Sequence, residues 1–125
     1  MDLKKLADQY KDELLDNVLP FWLEHSQDHE HGGYFTCLDR KGNVFDTDKF
    51  IWLQGREVWL FSMLYNKVEK RQEWLDCAIQ GGEFLKKYGH DGNYNWYGAQ
   101  NEAYMSRSAE KWVRGLCFNE LGVCG

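Results

Sequence analysis

The stretch FIWLQGREVWLFSMLY, residues 50–65, decides the fold, because it is apolar on nearly every side and yet carries Gln54, Gly55, Arg56 and Glu57 at its centre. Sixteen residues hold two Trp, two Phe, three Leu and a Tyr. From 58 to 65, seven of eight residues are apolar, so a helix here has little circumference to spare for water and needs neighbours on several sides. An arginine inside such a helix must be paired or solvated, since an unpaired buried charge costs several kcal/mol, of order 3–5. Two readings follow: a salt bridge to Glu57 or to an acid elsewhere, or a guanidinium pointing into a cavity where its donors hold an oxygen-rich ligand. Gly55 costs a helix interior roughly 1 kcal/mol relative to Ala, which fits close approach by a neighbour or a ligand.

Working outward, residues 2–19 place Leu3, Leu6, Ala7, Tyr10, Leu14 and Val18 at steps of three and four between Lys, Asp and Glu. This predicts an amphipathic helix, stopped by Pro20, the one proline of the chain. An irregular excursion follows, with Gly32-Gly33, a short extended YFTCLD and a turn at RKGN where Gly42-Asn43 can take positive φ. The central helix is read as 50–68. A further helix spans 72–88, its stripe being Trp74, Leu75, Ala78, Ile79, Gly82, Leu85 and Tyr88. GHDGNYNWYG is a loop by composition, and Ser108 caps a last helix with Ala109, Trp112, Val113, Leu116 and Glu120 on one face. Outer and inner helices in alternation define an all-α chain of the kind found in toroids of helical hairpins.

Composition limits function. The chain has 125 residues, 43% apolar and 16% aromatic, enough for one globular unit, and no internal repeat aligns. Twenty acidic against fifteen basic residues give a formal charge of −5 with no basic stripe, which argues against nucleic acid and anionic membrane as partners. No stretch is apolar for the length of a membrane span, and no signal peptide is read at the N-terminus. Cys37, Cys77, Cys117 and Cys124 lack metal spacing and read as free thiols of a cytoplasmic protein.

Candidate chemistry centres on the helix. Trp52 and Trp59 lie about one turn before and after Arg56 on the same face, an arrangement that suits a sugar held by its polar edge and its C–H face. Core packing explains most of the other aromatics, among them Trp22, Tyr34, Trp74, Trp96 and Trp112. His25, His29 and His31 sit in EHSQDHEHGG, where His29 and His31 could share a metal, but a solvated polar loop is the simpler reading and no metal site is assigned. His90-Asp91 shapes a turn, and neither Gly-Gly pair stands in a phosphate-binding context.

The run GGYFTCLDRKGNVFDTDKFIWLQGREVWLFSMLYN with AIQGGEFLKKYGHDGNYNWY closely resembles the N-acylglucosamine 2-epimerase (renin-binding protein) family over residues 21–97. Gln54-Gly55 before the arginine favours the N-acylglucosamine branch over the cellobiose 2-epimerases. The resemblance implies the N-terminal part of an α/α six-hairpin barrel around a sugar pocket, incomplete in this chain. It implies interconversion of N-acetylglucosamine and N-acetylmannosamine by removal and return of the C2 proton, with two histidines as base and acid. Arg56 takes the role of the arginine that steadies the enolate-like oxygen; Trp52, Gln54 and Trp59 would line the amino-sugar site. No cofactor is needed for the chemistry, ATP acts as an activator in members of the family, and homodimers are common.

Two features qualify the expected activity. Six hairpins of roughly 40 residues need several hundred residues, of which this chain supplies about a third. Residues 98–125, GAQNEAYMSRSAEKWVRGLCFNELGVCG, do not continue the pattern in register and read as a divergent tail, frameshifted or truncated, after an epimerase-like 1–97. The isolated chain is therefore expected to expose apolar surface on the inner helix and to lack turnover. The alternatives are a cellobiose or mannose epimerase or isomerase of the same superfamily, or a non-catalytic carbohydrate-binding or interaction module.

Overall fold

A computed structural model describes residues 1–90, 92–93, 97–99 and 102–105. The chain opens with α1, Leu3–Glu13, whose N-terminal N–H groups are capped by the Asp2 carboxylate (Oδ1 accepts from Lys4 N at 3.1 Å and Lys5 N at 3.2 Å). Pro20 does not stop this helix. A π-helical turn, Leu14–Val18, intervenes, and the Leu19 N–H reaches back five residues to the Leu14 carbonyl. Pro20 then falls in the first turn of α2, Leu19–His25, where a missing N–H is tolerated.

The apolar positions of α1 differ from the expected core stripe. None of its residues is buried, and Leu3 and Tyr10 are each 71% exposed. Leu15 and Leu19, beyond that stripe, make the contact with the core.

After α2 the chain pairs Gln27 with Tyr34 in an isolated antiparallel bridge and forms a small hairpin of β1, Cys37–Leu38, and β2, Val44–Asp46. Its turn is the expected one. Asp39 Oδ1 accepts from Lys41 N at 2.8 Å and Asn43 N at 2.9 Å, and Gly42 takes φ +88° with the His25 ring packed where a Cβ would stand.

The central pair is α3, Ile51–Lys67, and α4, Gln72–Tyr88. Both match the expected spans within a residue. On α3, Ile51, Gln54, Gly55, Val58, Phe61 and Leu64 are buried at helical spacing. On α4 the buried face is Trp74, Cys77, Ala78, Gly81, Phe84 and Leu85, so the stripe is rotated from the expected one: Ile79 is 52% exposed and Tyr88 37%. The rotation follows from Tyr34, whose phenol occupies the space over Gly81; a Cβ there would lie 2.2 Å from the hydroxyl oxygen. Leu19, Tyr34, Phe61 and Trp74 meet between the helices, each worth about 1.5–3 kcal/mol on burial.

A second hairpin, β3 (Tyr97–Ala99) with β4 (Glu102–Met105), follows, with β3 against α3. The expected helix after Ser108, Trp96, Trp112 and most of the tail 98–125 lie outside the described residues. Among the described residues no helix is long and apolar enough to cross a membrane. Cys37 and Cys77 are free thiols, as read from the sequence.

Candidate functional site

The site is built by fastening the 26–36 segment across the α3–α4 pair. Gln54 on α3 gives both amide atoms to one residue: its Oε1 accepts from Tyr34 N at 2.7 Å and its Nε2 donates to Tyr34 O at 2.8 Å. Gln80 on α4 does the same for the preceding residue, accepting from Gly33 N at 2.8 Å and donating to Gly33 O at 3.1 Å. The two side chains act as strand edges, each pairing one residue's N–H and C=O. Gly33 is required here, with φ +75° and with Gln54 Oε1 and the Phe84 ring within 2.9 Å of any added Cβ. The Tyr34 hydroxyl completes the anchor by donating to the Cys77 carbonyl at 2.6 Å.

A buried ion pair holds the other end. The Lys49 ammonium bonds the Asp28 carboxylate and donates to the Gly32 carbonyl at 2.8 Å, with the Phe35 and Phe84 rings each 5.1 Å away. Asp28 Oδ1 also accepts from Glu30 N and His31 N, both at 3.0 Å. Burial alone would raise the Asp28 pKa, but the Lys49 hydrogen bond, the His31 and Glu30 N–H groups and the Lys49 charge outweigh it and hold the carboxyl below its usual range.

With the loop fixed, α3 keeps one open face. From Ile51 to Tyr65 only Trp52 and Arg56 are exposed, while Leu53, Trp59, Leu60, Met63 and Tyr65 are half-buried, and Phe50 and Val68 at the two ends are exposed, so the helix shows part of its apolar surface. Arg56 Cζ lies 5.4 Å from the centre of the Trp52 ring, one turn back. Trp59 is partly buried one turn on. The structure thus brings together Arg56 and Trp52 and keeps Trp59 nearby. Gln54 is placed on the opposite side of the helix, fully buried, and serves the loop.

Glu57 faces inward. Its Oε1 accepts from the Ser26 hydroxyl at 2.6 Å, and burial pushes its pKa up to about 7, against the lowering effect of that one hydrogen bond. Cys77 is pushed up to about 12 by its own burial and by the Glu57 charge, which makes it an inert thiol. The histidines scatter. His25 stacks on Phe21 at 4.9 Å and backs the Gly42 turn, His29 is exposed, His31 is exposed with its Nδ1 3.6 Å from Asp28, and His90 Nδ1 accepts from Gly92 N at 3.0 Å in the expected turn.

A family model described as N-acylglucosamine 2-epimerase (GlcNAc 2-epimerase) matches residues 33–113, from the Gly33 clamp through the Arg56 helix and beyond. The chain belongs to this family. The N-acylglucosamine 2-epimerase of Mus musculus is 57% identical over 76 residues, which are 59% of this chain and 18% of the mouse protein. A cellobiose 2-epimerase of Dictyoglomus turgidum is 35% identical over 89 residues, 70% of this chain and 22% of that protein. Among solved structures, cellobiose 2-epimerase from Bacillus thermoamylovorans B4167 superposes with a TM-score of 0.69 at 28% identity, covering 82% of this chain and 27% of that one. The family is one of sugar epimerases and isomerases, and the helical chain is a portion of its α/α barrel. It spans about a fifth of the length of the curated relatives it matches.

Sequence reasoning singled out Arg56 and Trp52 but missed the Gln80 clamp and the Asp28–Lys49 pair. The signal for the pair was a lysine at the foot of an apolar helix, with an acid 21 residues upstream. Only the fold joins them.

Proposed function

We propose that the protein to which this chain belongs interconverts N-acetylglucosamine and N-acetylmannosamine, with Arg56 as the cationic donor to the oxygen that gains charge when the C2 proton leaves. The observation that carries this is the open face of α3: between Ile51 and Tyr65 the guanidinium and the Trp52 ring are the exposed groups. A proton α to a carbonyl is weakly acidic, and one fixed donor to the resulting oxyanion is worth about 3–4 kcal/mol. Trp52 offers a flat surface to the sugar's C–H face, and Trp59 is the next aromatic along the helix. Identity of 57% to an N-acylglucosamine 2-epimerase, against 35% to a cellobiose 2-epimerase, supports the amino sugar over the disaccharide.

The acid and base are histidines in this reading, because their pKa suits transfer in both directions near neutral pH. His25 packs on Phe21, His31 lies beside Asp28 and His90 serves a turn, and none of the histidines is assigned as the acid or the base, so the 125-residue chain alone is expected to bind the sugar without turning it over. ATP as activator and a homodimer belong to the proposal for the whole protein.

The test is ¹H NMR of N-acetylglucosamine, mannose and cellobiose with the chain in D₂O, alongside isothermal titration. Heat with N-acetylglucosamine that Arg56→Ala removes, without loss of the C2 proton signal, is the expected result. Exchange at C2 of mannose or cellobiose alone would move the assignment to the sister activities. Binding that is indifferent to Arg56→Ala would overturn the site.

A further inference from the structure

Glu57 is an inward-facing, half-buried carboxyl that the proposed chemistry leaves unused. It is the neighbour of Arg56 on α3, and it points into the junction of three segments. From the end of α2, Ser26 is fully buried, donates its hydroxyl to Glu57 at 2.6 Å and gives its carbonyl to Phe35 N at 2.6 Å. From α4, the Cys77 thiol lies within electrostatic reach, and the Cys77 carbonyl is already taken by the Tyr34 hydroxyl. Among the described residues no cation is paired with Glu57, whereas the buried Asp28 carboxylate has Lys49 and two backbone N–H groups. A carboxylate that among the described residues has one donor and no cation is poorly held as an anion and well held as a neutral acid.

We infer that Glu57 is a proton-linked positioning residue: neutral, it leaves the α2–α3 junction dry and seats the turn that carries Arg56; ionised, it draws water into that junction, against the hold of the Ser26 hydroxyl, and unseats the turn. Burial places the transition near neutral pH, with the carboxyl at about 7. The functional consequence rests on the reading of Arg56 given above. If the neutral form alone seats Arg56, sugar affinity falls about tenfold between pH 6 and pH 8, the change in the protonated fraction of a group titrating midway.

The experiment has two parts on the 125-residue chain. Hydrogen exchange of the Ser26 and Phe35 amides is followed from pH 5 to 9 after correction for intrinsic rates, and N-acetylglucosamine affinity is titrated over the same range. The wild type should show protection that falls with a midpoint near 7, absent in Glu57→Gln and shifted upward in Ser26→Ala, which removes the hydroxyl donor to the anion. A flat wild-type profile, or a midpoint unchanged in both variants, overturns the linkage. If Arg56→Ala binds the sugar as wild type does, the site reading fails while the junction result stands. If binding needs Arg56 but its pH dependence survives Glu57→Gln, the positioning role fails.

Discussion

Replacing Gln54 by Ala should unfasten the segment that carries Gly33 and Tyr34. The variant removes two hydrogen bonds at once, from Tyr34 N at 2.7 Å and to Tyr34 O at 2.8 Å, at a residue of 0% exposure that water does not reach. Leaving a buried polar group without its partner costs about 1–3 kcal/mol, so the pair costs about 2–6 kcal/mol, a large part of a small domain's total of 5–15. Gln80→Ala is the internal control. It also removes two bonds, but Gly33 O retains the Asp28 N–H at 3.0 Å and Gln80 is only partly buried, so water can replace the rest, for about 1–2 kcal/mol. Urea unfolding followed by tryptophan fluorescence measures both, read at constant m. A Gln54→Ala loss below 1 kcal/mol, or a loss no larger than that of Gln80→Ala, would refute the clamp as the device that fixes the loop.

Other substitutions test neighbouring parts. Gly81→Ala drives a Cβ to 2.2 Å from the Tyr34 hydroxyl and should cost about 1–3 kcal/mol, seen as a lower Tm. Asp28→Asn strands the buried Lys49 charge and should cost about 3–5 kcal/mol in the same urea assay. Because the Asp28 carboxyl is held below its unfolded value, its contribution is present above pH 4 and disappears as pH falls through its folded pKa; acid titration of Asp28→Asn should lack that limb. Glu57 has the opposite sign: its pKa is raised from 4.5 to about 7, so its contribution is present below 4.5 and is lost as pH rises to about 7. Glu57→Gln should flatten the decline in Tm from pH 5 to 8.

How much of this was legible beforehand depends on what kind of signal each residue carries. The apolar density of 58–65 announced α3, and the 72–88 periodicity announced α4, because burial writes a helical period into the sequence. The register of α4 was misread, since Cys77 and Gly81 look neutral in sequence and are buried only because Tyr34 needs the room. Pro20 was read as a stop because the π turn that absorbs it has no sequence mark. Arg56 and Trp52 were visible as a charge and a ring one turn apart. Gln54 was given to the sugar site by the resemblance, but two positions from both Trp52 and Arg56 it points nearly the opposite way on the helix. Its amide, like that of Gln80, reveals its use only when the backbone it clamps is in place.

The central claim is that the open face of α3 holds an amino sugar through Arg56. Its most direct test is ¹H–¹⁵N NMR of the tryptophan indoles during titration with N-acetylglucosamine. The Trp52 indole should shift with saturating sugar, and Arg56→Ala should abolish the shift while leaving the spectrum of the fold intact. Saturable binding that leaves Trp52 unmoved, or that persists unchanged in Arg56→Ala, would contradict that claim.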